Sequence, residues 1–304
     1  MNWQTVTTEP NELGESPFWH PLERRLYWVD IPARMILRSD ADGGGTQRWA
    51  MPSEPGCIAP AARGGLVIAL RDGIYRGNDW GGALRQLHRF AHDIATTRCN
   101  DGKADPLGRF WAGTMFEPRT AALAELYALD ARDGSAVEVR RMAGDAIIAN
   151  GLGWSPDQRT VYWADTPNHV IRAWDWDAPG NVMQNPRVFQ RFAPKPADWE
   201  PGMPGYGGRP DGAALDTQGN YYVAMFEGAR LLKFAPTGTL LDEIALPVQC
   251  PTMPCFGGDD LRTLYVTTAR HNRSPAELGQ MPLSGCVLSM PVDVPGLPVN
   301  FFRD

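Results

Sequence analysis

The sequence of 304 residues lacks two features that define large classes of proteins. It has no apolar run that approaches the roughly 18 residues of a membrane-spanning helix. It also has no surplus of basic residues, because 29 lysines and arginines stand against 35 aspartates and glutamates, giving a formal net charge of -6. Proteins that bind nucleic acid through its phosphates need such a surplus. We therefore expect neither a membrane nor a nucleic acid as the main partner.

A secretion signal and a paired set of cysteines are also lacking. Residues 1–12 have neither a basic start nor an apolar core, which argues against a signal peptide. The five cysteines are an odd and dispersed set, and no histidine stands near them with the spacing of zinc ligands. They are Cys57, Cys99, Cys250, Cys255 and Cys286. We expect buried free thiols and a cytoplasmic location.

Glycine and proline, by contrast, are abundant, with 32 and 27 residues. They have no collagen-like period, so they indicate many turns and few long helices. Hydrophobic residues make up 43% of the chain and charged residues 21%, as in an ordinary globular protein. The sequence therefore predicts a folded chain built from short elements.

The chain repeats part of its own sequence at an interval of 135 residues. The first copy contains Trp19, Pro21, Tyr27, Trp28 and Asp30. The second copy has the same residue types in the same register: Trp154, Pro156, Tyr162, Trp163 and Asp165. Residues 105–113 and 216–224 repeat a second phrase, in which a turn precedes a strand. Repeats of this kind indicate one structural unit that is copied along the chain.

Six such phrases occur, centred near residues 28, 68, 111, 163, 222 and 265. Each is followed by a further segment in which apolar and polar residues alternate, as they do in a β-strand. Short strands and turns at a repeat of about 40–50 residues are typical of a propeller. We predict an all-β fold, a six-bladed β-propeller with four-stranded antiparallel blades, as a single domain over residues 1–304. Two β-sandwich domains are the alternative, but they would not require the interval of 135 residues.

One segment does not follow this repeat of strands and turns. Residues 192–208 contain four glycines and four prolines, which excludes a strand and predicts a long loop. Long loops in compact domains are often functional. Trp199 and Tyr206 lie on this loop, and two interpretations remain open: a lid that stacks on a sugar ring, or simple anchoring of the loop.

Polar residues precede the predicted innermost strands at the spacing of the blades. They are Glu15, Asn100, Asn150 and Asp211. The corresponding positions of the other two blades are Cys57 or Ile58, and Thr252 or Met253. Equivalent positions in a ring converge on its axis, so two carboxylates and two carboxamides would meet at one mouth. Oxygen ligands of this kind suit a divalent cation. The alternative is that these residues cap turns, but glutamate is a poor turn former.

These motifs resemble the SMP-30/gluconolactonase (regucalcin-like) family along nearly the whole chain. The segments that carry the resemblance are Leu13–Trp19, Arg98–Lys103, Ala149–Leu152 and Arg209–Gly212. The resemblance implies a six-bladed propeller and a metal-dependent sugar lactonase, with a small sugar lactone as the partner. It also implies that Glu15, Asn150 and Asp211 bind one divalent metal ion, which could be Ca²⁺, Zn²⁺, Mn²⁺, Mg²⁺ or Fe²⁺.

On the same resemblance, Arg98 and Asn100 hold the substrate, and Glu117 makes a further substrate contact. In lactone hydrolysis the cation would polarise the carbonyl oxygen, and Asp211 would accept a proton from water as the catalytic base. Two other functions remain open: a phosphotriesterase-like hydrolase that uses the same metal site, and a calcium-binding propeller without enzymatic activity. The sequence does not indicate the particular aldonolactone, the native metal or the oligomeric state.

Overall fold

Short strands separated by tight turns occupy almost the whole chain, as the glycine and proline content predicts. The computed structural model describes residues 3–134, 136–201 and 203–304. Within them, the strands form six sheets of four antiparallel strands each, and the only helix is α1 (Pro275–Gln280). Ser274 caps this helix by accepting a hydrogen bond from the backbone N–H of Glu277. No helix in this described part of the chain is long and apolar enough to span a membrane.

The sheets are called blades 1 to 6, and within each blade the strands are named here from the channel outwards. Blade 1 consists of β2 (Gly14–His20), β3 (Arg25–Asp30), β4 (Met35–Ser39) and β5 (Gln47–Ala50). Blade 2 consists of β6 (Cys57–Pro60), β7 (Leu66–Leu70), β8 (Gly73–Gly77) and β9 (Leu84–Arg89). Blade 3 consists of β10 (Thr97–Ala104), β11 (Phe110–Phe116), β12 (Ala124–Asp130) and β13 (Glu138–Ala146).

The second half of the ring follows the same plan. Blade 4 consists of β14 (Ala149–Trp154), β15 (Thr160–Asp165), β16 (Val170–Asp177) and β17 (Val182–Arg191). Blade 5 consists of β18 (Arg209–Leu215), β19 (Tyr221–Phe226), β20 (Arg230–Phe234) and β21 (Leu240–Ala245). Blade 6 consists of β22 (Pro251–Gly257), β23 (Thr263–Thr268), β24 (Leu288–Pro291) and the N-terminal strand β1 (Gln4–Thr5).

The ring closes through blade 6. There β1 pairs with β24, Gln4 opposite Ser289, so the first and the last strands of the described residues share one sheet. Each innermost strand contacts the innermost strand of the next blade, and β22 contacts β2. The predicted six-bladed propeller with four-stranded antiparallel blades is therefore confirmed.

The hydrophobic core lies between neighbouring blades. Trp28, Trp111 and Trp163 are almost completely buried there. Trp19 stacks on Tyr265 of blade 6 with 6.2 Å between the ring centroids. Burying one large apolar side chain contributes about 1.5–3 kcal/mol to folding, so this aromatic packing holds the blades at fixed angles. The five cysteines are free and buried, as predicted.

The 135-residue repeat corresponds to blades 1 and 4. Asp30 ends β3 and accepts hydrogen bonds from the backbone N–H groups of Glu12 and Leu13, at 2.9 and 3.1 Å. Asp165 ends β15 and accepts from the backbone N–H groups of residues 147 and 148, at 3.1 and 3.3 Å. The repeat therefore preserves the hydrogen bonds that hold the chain as it enters each blade.

The segment 292–304 crosses the end of the ring that lies opposite the entry of the innermost strands. Its backbone N–H groups donate to Leu215 of blade 5 (2.9 Å), Pro60 of blade 2 (2.8 Å) and Gly108 of blade 3 (2.9 Å). Phe302 is completely buried against blades 2 and 3. This crossing segment, called the strap, therefore ties three blades together on one face.

The segment 192–208 contains no strand among its described residues, as predicted, and Gly202 lies outside them. Trp199 and Tyr206 are buried and contact each other, with ring centroids 5.1 Å apart. The Tyr206 hydroxyl lies 2.9 Å from Nε2 of His169, and Trp199 Nε1 donates to the carbonyl oxygen of Met203 at 2.9 Å. The two aromatic residues therefore anchor the loop. The alternative, a lid open to a sugar ring, does not match this burial.

Candidate functional site

Five of the six innermost strands carry a β-bulge near the mouth where they begin. The register shifts just after Glu15, Cys99, Asn150, Pro210 and Pro251, whereas β6 of blade 2 pairs regularly. A bulge bends the strand and changes the direction in which a side chain points. The residues after two of the bulge positions, Ser16 and Gly151, have φ of 49° and 60°. The bulges thus set the direction of Glu15, Asn100, Asn150 and Asp211, the polar residues singled out by their spacing.

Glu15 of blade 1 is buried, and the only hydrogen bond that its side chain forms with the described residues is to its neighbour in sequence, because the backbone N–H of Ser16 donates to Oε2 at 3.0 Å. Its pKa is raised well above the ordinary value, first by burial and then by the negative charges of Asp211 and Asp101. A buried carboxylate that faces other carboxylates favours either protonation or a nearby cation.

Asp211 of blade 5 is in the same situation. Burial and then the charge of Asp101 raise its pKa well above the ordinary value, while Arg209 has a smaller opposing effect. Asp101 is itself buried, and its Oδ2 accepts a hydrogen bond from the backbone N–H of Leu152 at 3.0 Å. Its Oδ1 has no hydrogen-bond partner among the residues that the structure describes. Three buried carboxylates therefore gather at this mouth.

The Asn150 side chain of blade 4 is held by hydrogen bonds on both sides of its amide. Its Oδ1 accepts from Nδ2 of Asn100 at 3.0 Å, and its Nδ2 donates to Oγ1 of Thr166 at 2.7 Å. The Thr166 hydroxyl in turn donates to the carbonyl oxygen of Pro210 at 2.7 Å. Since Pro210 precedes Asp211, this chain of bonds connects two of the predicted metal ligands and fixes the orientation of the amide.

Arg98 and Asn100 bond to each other. Nη1 of Arg98 donates to Oδ1 of Asn100 and to the carbonyl oxygen of Cys99, both at 2.8 Å. The Asn100 amide nitrogen donates to the carbonyl oxygen of Ala149 and to Asn150. Both N–H groups of the Asn100 amide therefore donate hydrogen bonds within the protein. Only the remaining lone pair of its carbonyl oxygen could accept a hydrogen bond from a substrate. In this geometry Asn100 positions Asn150.

Glu117, at the rim, is bound by two arginines. Arg71 donates to both carboxylate oxygens of Glu117, at 2.9 and 3.2 Å, and Nε of Arg98 lies 3.5 Å from Oε1. Arg71 also bonds to Glu54 at 2.9 Å. This network holds Arg98 at the mouth. The Glu117 side chain keeps 34% of its surface exposed, which leaves it within reach of a bound molecule.

The buried carboxylates at the mouth lack enough nearby positive charge to favour their ionised forms. Burial raises the pKa of Glu15, Asp101 and Asp211, and for Glu15 and Asp211 the charge of a neighbouring carboxylate raises it further. A bound divalent cation would lower these pKa values, and the oxygen donors of Glu15, Asn150 and Asp211 are of the type that such cations prefer. The residues present therefore fit a divalent metal ion.

Histidine, cysteine, aspartate and glutamate form no group of three with metal-binding geometry in residues 3–134, 136–201 and 203–304. The predicted ligand set is of a different kind, because it has only two carboxylates and its third member is an amide.

A cavity of about 240 Å³ lies further along the channel and not at this mouth. It is mainly apolar and is lined by residues such as Phe18, Trp154 and Leu297. Nζ of Lys103, which also lines it, donates to the carbonyl oxygen of Ala213. Because the cavity includes none of the predicted ligands, we place the candidate site at the charged mouth.

Sequence reasoning did not assign a role to Asp101, Arg71 or Thr166. The signal for Thr166 was present in the repeat, since the corresponding position of blade 1 is Ile31, an apolar residue. A polar residue where the other copy is apolar indicates a local function. For Arg71 no comparable signal exists, because only the folded ring brings it beside Glu117.

Comparisons with known proteins agree with this fold. The sequence profile described as the SMP-30/gluconolactonase/LRE-like region matches residues 13–270. A protein named 6-deoxy-6-sulfogluconolactonase, from Pseudomonas putida, is 43% identical over 299 residues, which cover 98% of this chain and 97% of that protein. Regucalcin from Danio rerio is 33% identical, covering 97% of this chain and 96% of that protein.

Two solved structures have closely similar folds. A calcium-binding protein, regucalcin from Agrobacterium tumefaciens, superposes with a TM-score of 0.88 at 24% identity, covering 99% of this chain and 97% of the other. A luciferin-regenerating enzyme superposes with a TM-score of 0.86 at 27% identity, covering 100% and 99%. The first likeness establishes the fold alone, because its sequence identity is low.

Proposed function

Because the chain belongs to the SMP-30/gluconolactonase/LRE-like family, we propose that it hydrolyses a sugar lactone with one divalent metal ion bound by Glu15, Asn150 and Asp211. Its relatives identify it as a lactonase, which is a carboxylic ester hydrolase. The observation that carries the metal assignment is the pair of buried carboxylates, Glu15 and Asp211, because the charge of Asp211 raises the pKa of Glu15 and burial raises the pKa of both.

When bound, the divalent ion supplies a Lewis acid for the lactone carbonyl and the positive charge that keeps both carboxylates ionised. A carboxylate oxygen of Asp211 accepts a proton from the water that attacks the carbonyl carbon. The new bond joins the water oxygen to that carbon, and the ester bond to the ring oxygen breaks. Asp211 then returns the proton to the ring oxygen, which gives the hydroxy acid.

Arg98 is the side chain best placed to donate to oxygen atoms of the substrate. It is buried, and its bonds to Asn100 and Cys99 fix its direction. Glu117, held by Arg71, accepts hydrogen bonds from sugar hydroxyl groups at the rim. Asn100 acts indirectly, because its amide nitrogen holds Asn150.

The test is a pH-indicator assay across a panel of aldonolactones that differ in the stereochemistry of their hydroxyl groups. The protein is first stripped of metal and then supplied with Ca²⁺, Mg²⁺, Mn²⁺, Fe²⁺ or Zn²⁺ one at a time. We expect at least one lactone to be hydrolysed and the rate to depend on the added cation. Calcium binding without turnover of any lactone would contradict the proposal and support a binding protein.

Hydrolysis of a paraoxon-type ester, measured beside that of the lactones, tests the alternative of a phosphotriesterase-like hydrolase. Arg98 provides donors and Glu117 provides acceptors, which suits a polyol better than an aryl phosphotriester. We therefore expect the lactone to have the higher kcat/KM. A preference for the phosphotriester would overturn the choice of substrate while leaving the metal site in place.

A further inference from the structure

The apolar cavity of about 240 Å³ lies on the strap side of the channel, away from the candidate metal site. All six blades contribute residues to its lining, and the strap contributes residues 297–300. Three of the lining residues, Pro156, Gln158 and Pro298, are exposed, so the cavity reaches the surface between the strap and blade 4. It therefore opens on the face opposite the charged mouth.

Small residues create this space, and aromatic residues fix its walls. Three innermost strands carry small residues where they line the cavity: Ala59, Gly153 and Ala214. The ring of Phe18, another lining residue, stacks on Tyr27 with 4.9 Å between the centroids. The ring of Trp154, which also lines the cavity, meets Trp111 edge to face at 5.4 Å. Because these contacts hold the walls in place, the cavity is preformed, as small-molecule sites usually are.

A single charged side chain lies in these apolar surroundings. Lys103 of β10 is the only charged residue among the described residues that line the cavity. It follows the mouth residue Asn100 by three positions, and in three other blades the third residue after the mouth residue is apolar: Phe18, Gly153 and Ala214. The repeat of the blades does not require a cation at this level, so the lysine indicates a local function.

The ammonium group of Lys103 has donors to spare. It carries three N–H groups. One of them donates to the carbonyl oxygen of Ala213 in blade 5, and Lys103 forms no other hydrogen bond and no ion pair with the residues that the structure describes. Its side chain is only half-buried, although it lies inside the channel. Burial lowers the pKa of Lys103, and the charge of Asp101 offsets only part of this effect, so an anion in the cavity would stabilise the ammonium form.

The volume of the cavity limits the size of a ligand. A cavity of about 150 Å³ with apolar walls holds benzene, which has six carbon atoms, so a cavity of about 240 Å³ holds about ten non-hydrogen atoms. Lys103 is the first residue of β10 to line the cavity and therefore lies at the end nearer the mouth. A ligand would place an anionic group at that end and an apolar body towards the strap.

We propose that this cavity binds a small amphipathic monocarboxylate, with the carboxylate on Lys103 and an apolar body of about eight carbon atoms between Phe18, Trp154 and the strap. Medium-chain fatty acids and aryl-alkanoic acids share this chemistry. The proposal is independent of the proposed lactonase function, because the cavity includes none of the residues assigned to that reaction.

Calorimetry with the whole chain measures this site, with octanoate, 3-phenylpropionate, 1-octanol and acetate as probes. We expect octanoate to bind at least about tenfold more tightly than 1-octanol, because a hydrogen bond to a charged group contributes more than one between neutral groups. Acetate lacks the apolar body and should bind at least about tenfold more weakly than octanoate. The tighter of the two larger acids shows whether the cavity prefers an alkyl or an aryl body.

Four variants locate the binding. Lys103→Met removes the ammonium but keeps an unbranched side chain, and it should remove the advantage of octanoate over 1-octanol, whereas Lys103→Arg should retain part of it. Val299→Trp fills the cavity from the strap and should weaken both ligands. Arg187→Gln is the matched control, because it removes the same charge from an exposed position on β17 and should bind octanoate like the wild-type protein.

Equal dissociation constants for octanoate and 1-octanol in the wild-type protein would overturn the inference, and so would equal losses in Lys103→Met and Arg187→Gln. If Lys103→Met does not fold, Val299→Trp decides the location, since unchanged affinity for octanoate in that variant also contradicts the proposal. Arg98→Gln removes a cation of the mouth and should leave the affinity for octanoate unchanged. A tenfold loss there would place the acid at the mouth and not in the cavity.

Discussion

Blades 1 and 4 are two copies of one structural plan that differ at the channel. Both copies end their second strand with an aspartate that binds two backbone N–H groups, and both carry a bulge just after the polar residue at the mouth. At the mouth, however, blade 1 has Glu15 and blade 4 has Asn150. The comparison teaches that the repeat builds the scaffold, whereas the chemistry depends on the few positions at which the copies differ.

The surroundings of these two residues differ accordingly. Asn150 bonds to Thr166, and the corresponding residue of blade 1 is the apolar Ile31. An amide has a carbonyl end and a nitrogen end, so it needs a partner that fixes which end faces the channel. A carboxylate has two equivalent oxygens, and Glu15 needs no such partner. The two differences between the blades therefore go together: Asn150 has a hydrogen-bond partner in Thr166, whereas Glu15 needs no such partner and Ile31 offers none.

The largest effect is expected when the difference at the mouth is removed. Glu15→Gln replaces the carboxylate of blade 1 by an amide, the group that blade 4 has at this position. The change also removes one of the two proposed anionic ligands. We expect kcat/KM for the lactone to fall more than about 100-fold, because even residues that only support metal ligands cost 10- to 100-fold. Glu12→Gln, which removes a charge from an exposed position, is the matched control. Wild-type activity in Glu15→Gln would exclude Glu15 as a ligand.

The same variant tests metal binding by stability. Excess cation at about 100 times its dissociation constant should stabilise the wild-type protein by about 2.7 kcal/mol, measured as a rise in Tm. Glu15→Gln should show a much smaller rise at the same cation concentration. Equal shifts in the two proteins would place the cation elsewhere on the chain.

The shared scaffold is tested by Asp30→Ala and Asp165→Ala. Each change leaves two backbone N–H groups without their acceptor, and we expect each to lower the free energy of unfolding by about 1–3 kcal/mol. The Asp165 change should cost more, because Asp165 also accepts a hydrogen bond from Asn168 at 2.6 Å. Urea denaturation measures both, with Asp259→Ala as an exposed control. A full loss in one blade and none in the other would show that the two copies are not equivalent.

The smallest effect is expected from Thr166→Val, which makes blade 4 resemble blade 1 at this position. The Asn150 amide nitrogen loses its acceptor, so we expect kcat/KM and cation affinity to fall about tenfold. Thr166→Ser keeps the hydroxyl and should restore both quantities. If Thr166→Val and Thr166→Ser lose equal activity, the hydroxyl does not position Asn150.

The fold could be predicted from the sequence because repetition is visible in the residues themselves. Trp19 and Trp154, with the aspartates that follow them, mark equivalent places in two blades, and short alternating segments mark the other strands. The burial of the cysteines and the loop at 192–208 follow from composition in the same way. The gathering of Glu15, Asn150 and Asp211 was predictable only by assuming that the ring closes.

The connections among site residues could not be predicted in this way. Side-chain directions at the mouth depend on bulges, and a bulge depends on backbone dihedrals that one sequence does not reveal. Arg98 and Asn100 are predicted substrate contacts, yet the structure shows Asn100 donating to Ala149 and Asn150. Asp101 adds a third buried carboxylate, although its sequence position suggests only a turn.

The position of the strap, residues 292–304, affects how small molecules enter and leave the channel. Leu297 and Asn300 line the cavity at this end of the channel, and Asn300 also bonds to Ala104 of blade 3 at 3.1 Å. Because the strap crosses this end, we expect a small molecule that enters at the charged mouth to leave through the same mouth. Substrate and product therefore use the same opening and compete for it. Immobilising the protein on a solid support through Asp304, on the opposite face, would leave that opening accessible to the solution.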